Sequence, residues 1–378
     1  MIYLDNNATT RVLPAVREAM LPWLGEHFGN ASSSHALGQR AKRALANARS
    51  VVAKFIGAQP AEIMFTSGAT EANHTAIFTA LSAQPDKKRI VTSTVEHAST
   101  LQLLKYLEKL GVEVVHVPVL PSGALDIAAL KAAVTASTAL VTLMHANNET
   151  GVLFPLTEIA DIAHQHGAIF HVDAAQTAGK IPLQSKEIGC DLLSFSGHKL
   201  HAPQGVGVLF VRKGLTIDPM FFGHQERNRR GGTENLPGIA GLMAGCELAQ
   251  VTFAEKQIKI AALRDALEQG ILATIPFAHV NGATARISNT SNICFAGLNG
   301  EELLTRLEKN EVIASRGSAC TAGGTEPSHV LLGMGLGRED ALSSLRFSLS
   351  CETTSAEIEA TIQAVQQAVK AMTLQSAA

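Results

Sequence analysis

The sequence predicts an α/β protein in which a mostly parallel sheet flanked by helices is followed by a smaller α+β C-terminal domain. From about residue 35, strand patterns alternate with helical patterns, and the strands are apolar throughout, which is typical of a sheet covered on both faces. Polar residues gather where these strands end, and after about residue 235 long helical segments replace the alternation. We expect a large domain over residues 14–255 and a small domain over residues 256–378, joined by residues 1–13.

The individual elements follow from apolar spacing and from residues that start or stop helices. Helical spacing begins in SHALGQRAKRALANARSVVAKFIG and recurs after SGATEAN and after VEHAST. Strands are predicted at EIMFT, RIVTS, VEVVHVPV, ALVTLMH, AIFHVDAA, LLSFS and GVGVLFV. Thr157 is expected to cap a helix that stops at Gly167, and Thr354 with Glu357 predicts a capping box before the last helix.

Composition excludes several classes of protein. The formal charge of −2 among 378 residues provides no strong field for nucleic acid or an acidic membrane surface. None of the five cysteines lies in a CxxC pair, so neither a zinc site nor a disulfide framework is expected. We see no signal peptide and no apolar run near the roughly 20 residues of a membrane span, and therefore expect a cytoplasmic enzyme with reduced thiols.

Two charged residues follow predicted strands and suggest cofactor chemistry. Lys199 lies among small residues and two histidines, where a lysine is a candidate for a Schiff base, although most lysines are simply solvated. Asp173 ends a buried strand and needs a cationic or hydrogen-bonding partner. A pyridinium nitrogen would be such a partner, and a structural Asp that caps a turn is the alternative.

Phosphate and ring contacts are suggested by three segments. Ala69 and Thr70 open a helix after a strand, where free N–H groups favour a phosphate, and Ser196 and His198 offer further donors. His97 follows the RIVTS strand, where an imidazole can stack on a cofactor ring and transfer protons, or be a structural residue.

The amides of Asn148 and Gln176 suit hydrogen bonds to a cofactor oxygen. Cys320 lies in SRGSACTAGGTEPSH, where small neighbours predict an exposed loop and Arg316 favours the thiolate. An incidental surface cysteine is the alternative. Arg346 lies inside an apolar stretch and needs an anion, which is either a substrate carboxylate or a structural ion-pair partner.

Taken together, these motifs resemble the NifS/IscS-type cysteine desulfurases, which are class V aminotransferases of pyridoxal-phosphate (PLP) fold type I. The resemblance covers nearly the whole chain. It rests on the segments YLDNNATT, FTSGATEAN, VEHAS, MHANNETG, HVDAAQTAGK, SFSGHKLHAPQGVGVLFVRKG, GHQERNRRGGTEN, GSACTAGGTEPSHVL and SSLRFSLS.

The resemblance implies a role for each matching residue. Lys199 would hold the coenzyme, Asp173 would pair with its ring nitrogen, and His97 would stack on the ring. The other implied contacts are Ala69, Thr70, Ser196 and His198 to the phosphate, Asn148 and Gln176 to the ring, Arg346 and Asn148 to the substrate, and Thr233 to the phosphate of a partner subunit. The last contact implies a homodimer.

The implied reaction is PLP-dependent conversion of L-cysteine to L-alanine, with sulfur transferred to Cys320 as a persulfide. The sulfur would pass to an acceptor such as an iron–sulfur scaffold protein. The long cysteine loop and the short tail favour the NifS-like branch, and Arg316 departs from the serine common there. A selenocysteine lyase, an aminotransferase of the same fold and a non-catalytic partner-binding scaffold remain alternatives.

Overall fold

The computed structural model describes residues 1–251, 253–317 and 326–376. Its strands are β1 (Ile2–Tyr3), β2 (Ile63–Thr66), β3 (Arg89–Ser93), β4 (Glu113–Val117), β5 (Thr138–Met144), β6 (Ile169–Asp173), β7 (Leu192–Ser196), β8 (Gly207–Val211), β9 (Ala278–Val280), β10 (Thr290–Phe295), β11 (Val312–Ile313) and β12 (Ser344–Ser348). Its α-helices are α1 (Pro14–Leu24), α2 (Ala36–Phe55), α3 (Ala69–Ala83), α4 (Ala98–Lys109), α5 (Ile127–Ala133), α6 (Leu156–Gln165), α7 (Ser185–Ile188), α8 (Gln225–Asn228), α9 (Leu236–Val251), α10 (Phe253–Leu272), α11 (Gly300–Lys309), α12 (His329–Gly333), α13 (Arg338–Leu342) and α14 (Ser355–Ser376).

A seven-stranded sheet carries the strand ends on which the site depends. Its order is β2-β8-β7-β6-β5-β3-β4, and β8 alone runs against the other strands of this sheet. The predicted α/β class, with a mostly parallel sheet flanked by helices, is confirmed. Parallel strands bring their carboxyl ends to one edge, so the polar residues after β2, β3, β5, β6 and β7 meet there.

Both faces of this sheet are buried under helices. Leu140 of β5 and Ile169 of β6 belong to one hydrophobic core, whereas the next residues, Val141 and Phe170, belong to a second core on the opposite face. Successive side chains of a strand point to opposite faces, so a strand buried on both sides is apolar at most positions.

A third core forms around the C-terminal elements. It combines α10, α11 and α14 with a three-stranded antiparallel sheet of order β12-β10-β9. The chain start joins this unit, because β1 pairs with β11, Leu4 is part of the third core and the Asn6 N–H donates to the Ser348 carbonyl at 3.1 Å. Val330 and Leu331 of α12 pack instead into the first core. The predicted domain boundaries stay a prediction.

Helix starts show where local sequence reading was right and where it was wrong. The capping box is confirmed, because the Thr354 N–H donates to Glu357 Oε2 at 2.8 Å and the Glu357 N–H donates to Thr354 Oγ1 at 3.3 Å. The predicted cap at Thr157 is wrong. Helix α6 begins at Leu156 after Pro155, whose fixed φ suits a helix entry without a side-chain cap. Helix α1 was not predicted, since Pro14 and Pro22 weaken its helical pattern.

Within the described residues, no helix taken singly is long and apolar enough to cross a membrane. One bent pair, α9 with α10, meets the length and composition criteria when the two helices are taken together.

Candidate active site

A cavity of about 550 Å³ lies at the carboxyl ends of the parallel strands. Ten of the predicted site residues line it: Ala69, Thr70, His97, Asn148, Asp173, Gln176, Ser196, His198, Lys199 and Arg346. They come from segments up to 277 positions apart in the chain (Ala69 to Arg346, 346 − 69), and only the sheet topology brings them together.

Lys199 is presented to the cavity by a single 3₁₀ turn, Gly197–Lys199, that follows β7 directly. Its Nζ donates hydrogen bonds to the carbonyl of Asn7 and, at 2.9 Å, to the carbonyl of Ala8. Both carbonyls belong to the N-terminal segment. Residues near the chain start therefore hold the Lys199 amine at the carboxyl ends of the central strands.

Asp173 is oriented by a chain of hydrogen bonds across the sheet. Its Oδ1 accepts from the Ala175 N–H at 2.9 Å, and its Oδ2 accepts from Asn73 Nδ2 at 2.7 Å. The side-chain oxygen of Asn73, Oδ1, accepts from the Ser194 hydroxyl, whose oxygen lies 3.0 Å from His171 Nε2. Because the Ser194 proton goes to Asn73, His171 must donate here. The carboxylate of Asp173 is thus held in one orientation without a cationic partner in this network.

The start of α3 forms a cradle of donors. The first turn of a helix leaves backbone N–H groups without intrahelical partners, and Ala69 and Thr70 present theirs to the cavity. Ser196 and His198 line the same region. Gly207 allows this arrangement, because a Cβ at this position would lie 2.6 Å from the Cα of Gly68. The donors together suit a bound phosphate.

A carboxylate near this cradle is neutralised by an arginine. Glu71 Oε1 accepts from Arg230 Nε at 2.9 Å, and Glu71 Oε2 accepts from the Ser67 N–H at 2.9 Å. Burial raises the pKa of Glu71, but the hydrogen bonds from Arg230 and Ser67 outweigh burial and leave this pKa below its usual value. The cradle is therefore not opposed by an unpaired negative charge of Glu71.

His97 occupies the N-cap of α4 and faces the cavity. Its Nδ1 accepts from the Ser99 N–H at 3.2 Å, so the ring proton of the neutral form lies on Nε2. Burial lowers the pKa of His97, opposed by Asp173 and reinforced by Lys199 and His329. We therefore expect a neutral imidazole at pH 7. Burial and the charge of Lys199 likewise lower the pKa of His198 to about 4.

Arg346 combines the two roles weighed from the sequence. Its Nη2 donates to Asp5 Oδ1 at 2.6 Å, which is a structural ion pair, and its Nη1 donates to the Asn148 carbonyl at 3.0 Å. Its Nε is buried and has no hydrogen-bond partner among the described residues. A buried donor without a partner costs about 1–3 kcal/mol, so the site is suited to an added anion.

One predicted site residue within the described part of the chain, Thr233, is not brought to this cavity, and one other, Cys320, is not described. Thr233 is exposed and is not among the residues lining it. Cys320 lies outside the described residues, so its placement stays a prediction. The Glu149 side chain lies close to residues on both sides of the segment 318–325. It accepts from the Ser328 hydroxyl at 2.5 Å, and a Cβ at Gly317 would lie 2.7 Å from its Oε2.

Sequence reasoning missed residues that support the site without a reactive group of their own. Asn73 orients Asp173, and Asn7 supplies the carbonyl that binds Lys199. Both occur in the motifs quoted for the resemblance, SGATEAN and YLDNNATT, and this was their one signal. Within the described residues, no group of three or more His, Cys, Asp or Glu side chains is placed to hold a metal ion.

Comparison with known proteins agrees with this geometry. The aminotransferase class-V family matches residues 2–361. The chain belongs to this family. It is 50% identical to cysteine desulfurase 2 of Trichormus variabilis over 365 residues, which are 96% of this chain and 92% of that protein. It is 47% identical to the cysteine desulfurase NifS of Azotobacter vinelandii, over 96% and 91% of the two chains. The resemblance to NifS-type cysteine desulfurases is confirmed.

Solved structures extend the agreement to the fold. A NifS-like protein superposes with a TM-score of 0.92 at 34% identity, covering 98% of this chain and 99% of the other. The predicted PLP fold type I architecture is confirmed by this match. Enzymes of the class-V family use PLP, and the residues present here fit that group: a lysine for its aldehyde, an Asp for its ring nitrogen and the α3 cradle for its phosphate.

Proposed function

We propose that the protein is a PLP-dependent cysteine desulfurase that converts L-cysteine to L-alanine and takes the sulfur onto Cys320 as a persulfide. The observation that carries this proposal is that Lys199, Asp173 and Arg346 line one cavity, so an amine, a carboxylate and an anion site face a single space. The names of the relatives support cysteine as the substrate.

The coenzyme would be held by Lys199, with Asp173 at its ring nitrogen and Ala69, Thr70, Ser196 and His198 at its phosphate. When bound, it supplies an electron sink for bonds broken at the substrate α-carbon. Asn73 contributes indirectly, because its hydrogen bond keeps the Asp173 carboxylate turned toward the cavity. Gln176 and Asn148 would contact the ring, since both line the same space.

The chain's own residues would then bind the substrate and move its protons. Arg346 binds the cysteine carboxylate, to which its Nε, which has no partner among the described residues, is the available donor. The amine of Lys199, once neutral, accepts a proton at Nζ, and His97 gives up a proton only after its imidazole has taken one up. Burial keeps the pKa of His97 low, so this imidazole exchanges protons without holding a permanent charge.

Sulfur transfer needs a nucleophile, and Cys320 is the candidate. Its thiolate attacks the substrate sulfur, the C–S bond breaks, and the bonding electron pair stays with the carbon skeleton, which is protonated to alanine. The other cysteines are poorer candidates. Burial raises the pKa of Cys190, Cys246 and Cys351, and it raises that of Cys294 to about 11. A thiol with a raised pKa yields little thiolate at neutral pH.

A homodimer completes the proposal. Thr233 is exposed and away from the cavity of its own chain, as expected for a residue that reaches the phosphate of a partner subunit. Large apolar side chains at Leu24, Phe28 and Phe222 are exposed by 66%, 75% and 84%, which supports a protein-binding surface. The persulfide would pass to an acceptor such as an iron–sulfur scaffold protein.

Two variants test the chemistry. Lys199→Ala should remove the visible absorption band of the purified protein, because the amine that holds the coenzyme is lost. Cys320→Ser should keep the band and lose sulfide release from cysteine. Cys351→Ser is the matched control and should retain both. Alanine formation without an added keto acid separates desulfuration from transamination, and full turnover in Cys320→Ser would remove that thiol from the mechanism.

A further inference from the structure

A second lysine lies directly behind Lys199 and has no role in the chemistry proposed so far. Lys180 Nζ donates to Gln176 Oε1 at 3.0 Å and to Asn7 Oδ1 at 3.2 Å. Among the described residues, no carboxylate forms an ion pair with Lys180. An amine held between two amides is unusual, because a partly buried cation normally has an anionic partner.

The backbone conformation at Gly179 directs the following residue, Lys180, toward the site. Gly179 has φ +77°, a left-handed conformation that glycine adopts without strain. A Cβ there would also lie 3.3 Å from the Cβ of Leu200. The turn between Asp173 and Lys180 therefore folds back under the cavity and places Gln176 and Lys180 against the N-terminal segment.

Both lysines are joined through Asn7. The Asn7 carbonyl accepts from Lys199 Nζ and, at 3.0 Å, from Gln176 Nε2, while the Asn7 side chain accepts from Lys180. The side chain of Asn7 is itself fixed, since its Nδ2 donates to Thr290 Oγ1 at 2.8 Å. The orientation of the side-chain amides of Asn7 and Gln176 depends on the groups that donate to their oxygens. Lys180 donates to the side-chain oxygen of each.

We propose that Lys180 is a positioning residue, which orients the amides of Gln176 and Asn7 beside Lys199 and whose positive charge favours the neutral, nucleophilic form of the Lys199 amine. This inference rests on the proposed function, because it assumes that Lys199 holds the coenzyme. A lysine next to another cationic group is a known way to obtain a reactive amine near neutral pH.

The surrounding charges support this role. The ionisable groups that face Lys180 are Lys199, Arg346, His201, Lys256 and Cys351, and Arg346 is already paired with Asp5. Burial, with the charges of Lys199 and Arg346, lowers the pKa of Lys180 to about 7. Coupling between two sites is reciprocal, so protonation of either amine disfavours protonation of the other.

The test is a pH titration of the visible absorption band in the holoenzyme, which reports the protonation of the group formed on Lys199. Lys180→Met removes the neighbouring charge and should raise the midpoint by roughly one pH unit. Lys180→Arg keeps the charge and should leave the midpoint near that of the wild type. Lys186→Met, which removes an exposed lysine on α7, is the matched control and should change nothing.

Two results would overturn the inference: an unchanged midpoint in Lys180→Met, or an equal rise in Lys180→Met and Lys180→Arg. If Lys180→Met does not fold, Lys180→Gln serves in its place with the same expected rise. Protein that carries no coenzyme would contradict the proposed function instead. In that case the pH midpoint of Lys199 labelling by acetic anhydride, read by mass spectrometry, should rise in the same variants, and no rise would overturn the inference.

Discussion

Asp173 shows how one functional side chain depends on neighbours without reactive groups. Asn73 donates to it at 2.7 Å, and the Asn73 oxygen is in turn fixed by Ser194. All three residues are buried. A carboxylate in such a place persists only if its oxygens accept hydrogen bonds, and Asn73 provides one of the two described here.

We predict that Asn73→Ala weakens coenzyme binding. Loss of a hydrogen bond to a charged group costs about 1.5–3 kcal/mol, which corresponds to roughly a tenfold or larger loss of affinity. The measurement is a titration of protein stripped of coenzyme with PLP, followed by absorbance. Ser82→Ala, an exposed change on the same helix, should bind as the wild type does. Equal affinity in both variants would contradict the role of Asn73.

At the scale of elements, α8 is a turn with left-handed backbone, since Glu226, Arg227 and Asn228 have φ values of 49°, 62° and 63°. Such a conformation costs residues other than glycine roughly 1–2 kcal/mol each, so it needs compensating contacts. The buried pair of Glu226 and Arg49 provides them, with two N–O distances of 2.7 Å, and the Phe65 N–H also donates to Glu226 at 3.0 Å. The turn is thereby attached to β2 and leads into the segment that carries Thr233.

We predict that Glu226→Gln destabilises the fold by about 3 kcal/mol, because Arg49 would remain buried without its carboxylate. Glu158→Gln removes an exposed partner of Lys131 and should change stability by less than about 0.5 kcal/mol. Denaturant unfolding of both variants against the wild type gives the difference. A similar small effect in both would mean that the buried pair does not hold the turn.

At the scale of the whole molecule, buried ionisable groups set the dependence of stability on pH. Burial lowers the pKa of His145 and His171 to about 4. In the neutral form of His171, Nδ1 accepts from the Thr142 hydroxyl at 2.8 Å. Burial has the opposite effect on Glu96, whose pKa rises to about 8.

We predict that the thermal midpoint falls as the pH is lowered from about 6.5 to about 4. In this range the unfolded chain binds protons at His145, His171 and His198 that the folded protein does not, so protonation favours unfolding. The contribution of Glu96 is lost as the pH rises from 4.5 toward 8, but one carboxyl opposes three imidazoles. His171→Gln should flatten the acid side in calorimetry, and an unchanged slope would exclude this histidine as a cause.

Prediction from the sequence succeeded where local pattern and residue chemistry agree. The strand from Ile169 to Asp173 is apolar except for His171 and its last residue, so its burial and the position of its carboxylate could be predicted directly. The Thr354–Glu357 capping box was equally local. Lys180 could not be assigned in this way, because its role depends on Asn7 and Lys199, which no periodicity connects to it.

The alternation of helical and apolar strand patterns and the order of the motifs were enough to predict the α/β class and the family, and they placed Lys199 and Asp173 at the ends of strands. They suffice because burial of both sheet faces imposes a pattern on neighbouring positions. Tertiary structure alone decided that Asn7 joins Lys199 to Lys180 and that Asn73 orients Asp173. It also decided that Arg346 is paired with Asp5 while its Nε has no partner in the part of the chain that the structure describes. These contacts join residues far apart in the chain, and their geometry exists only once the strands have aligned their carboxyl ends.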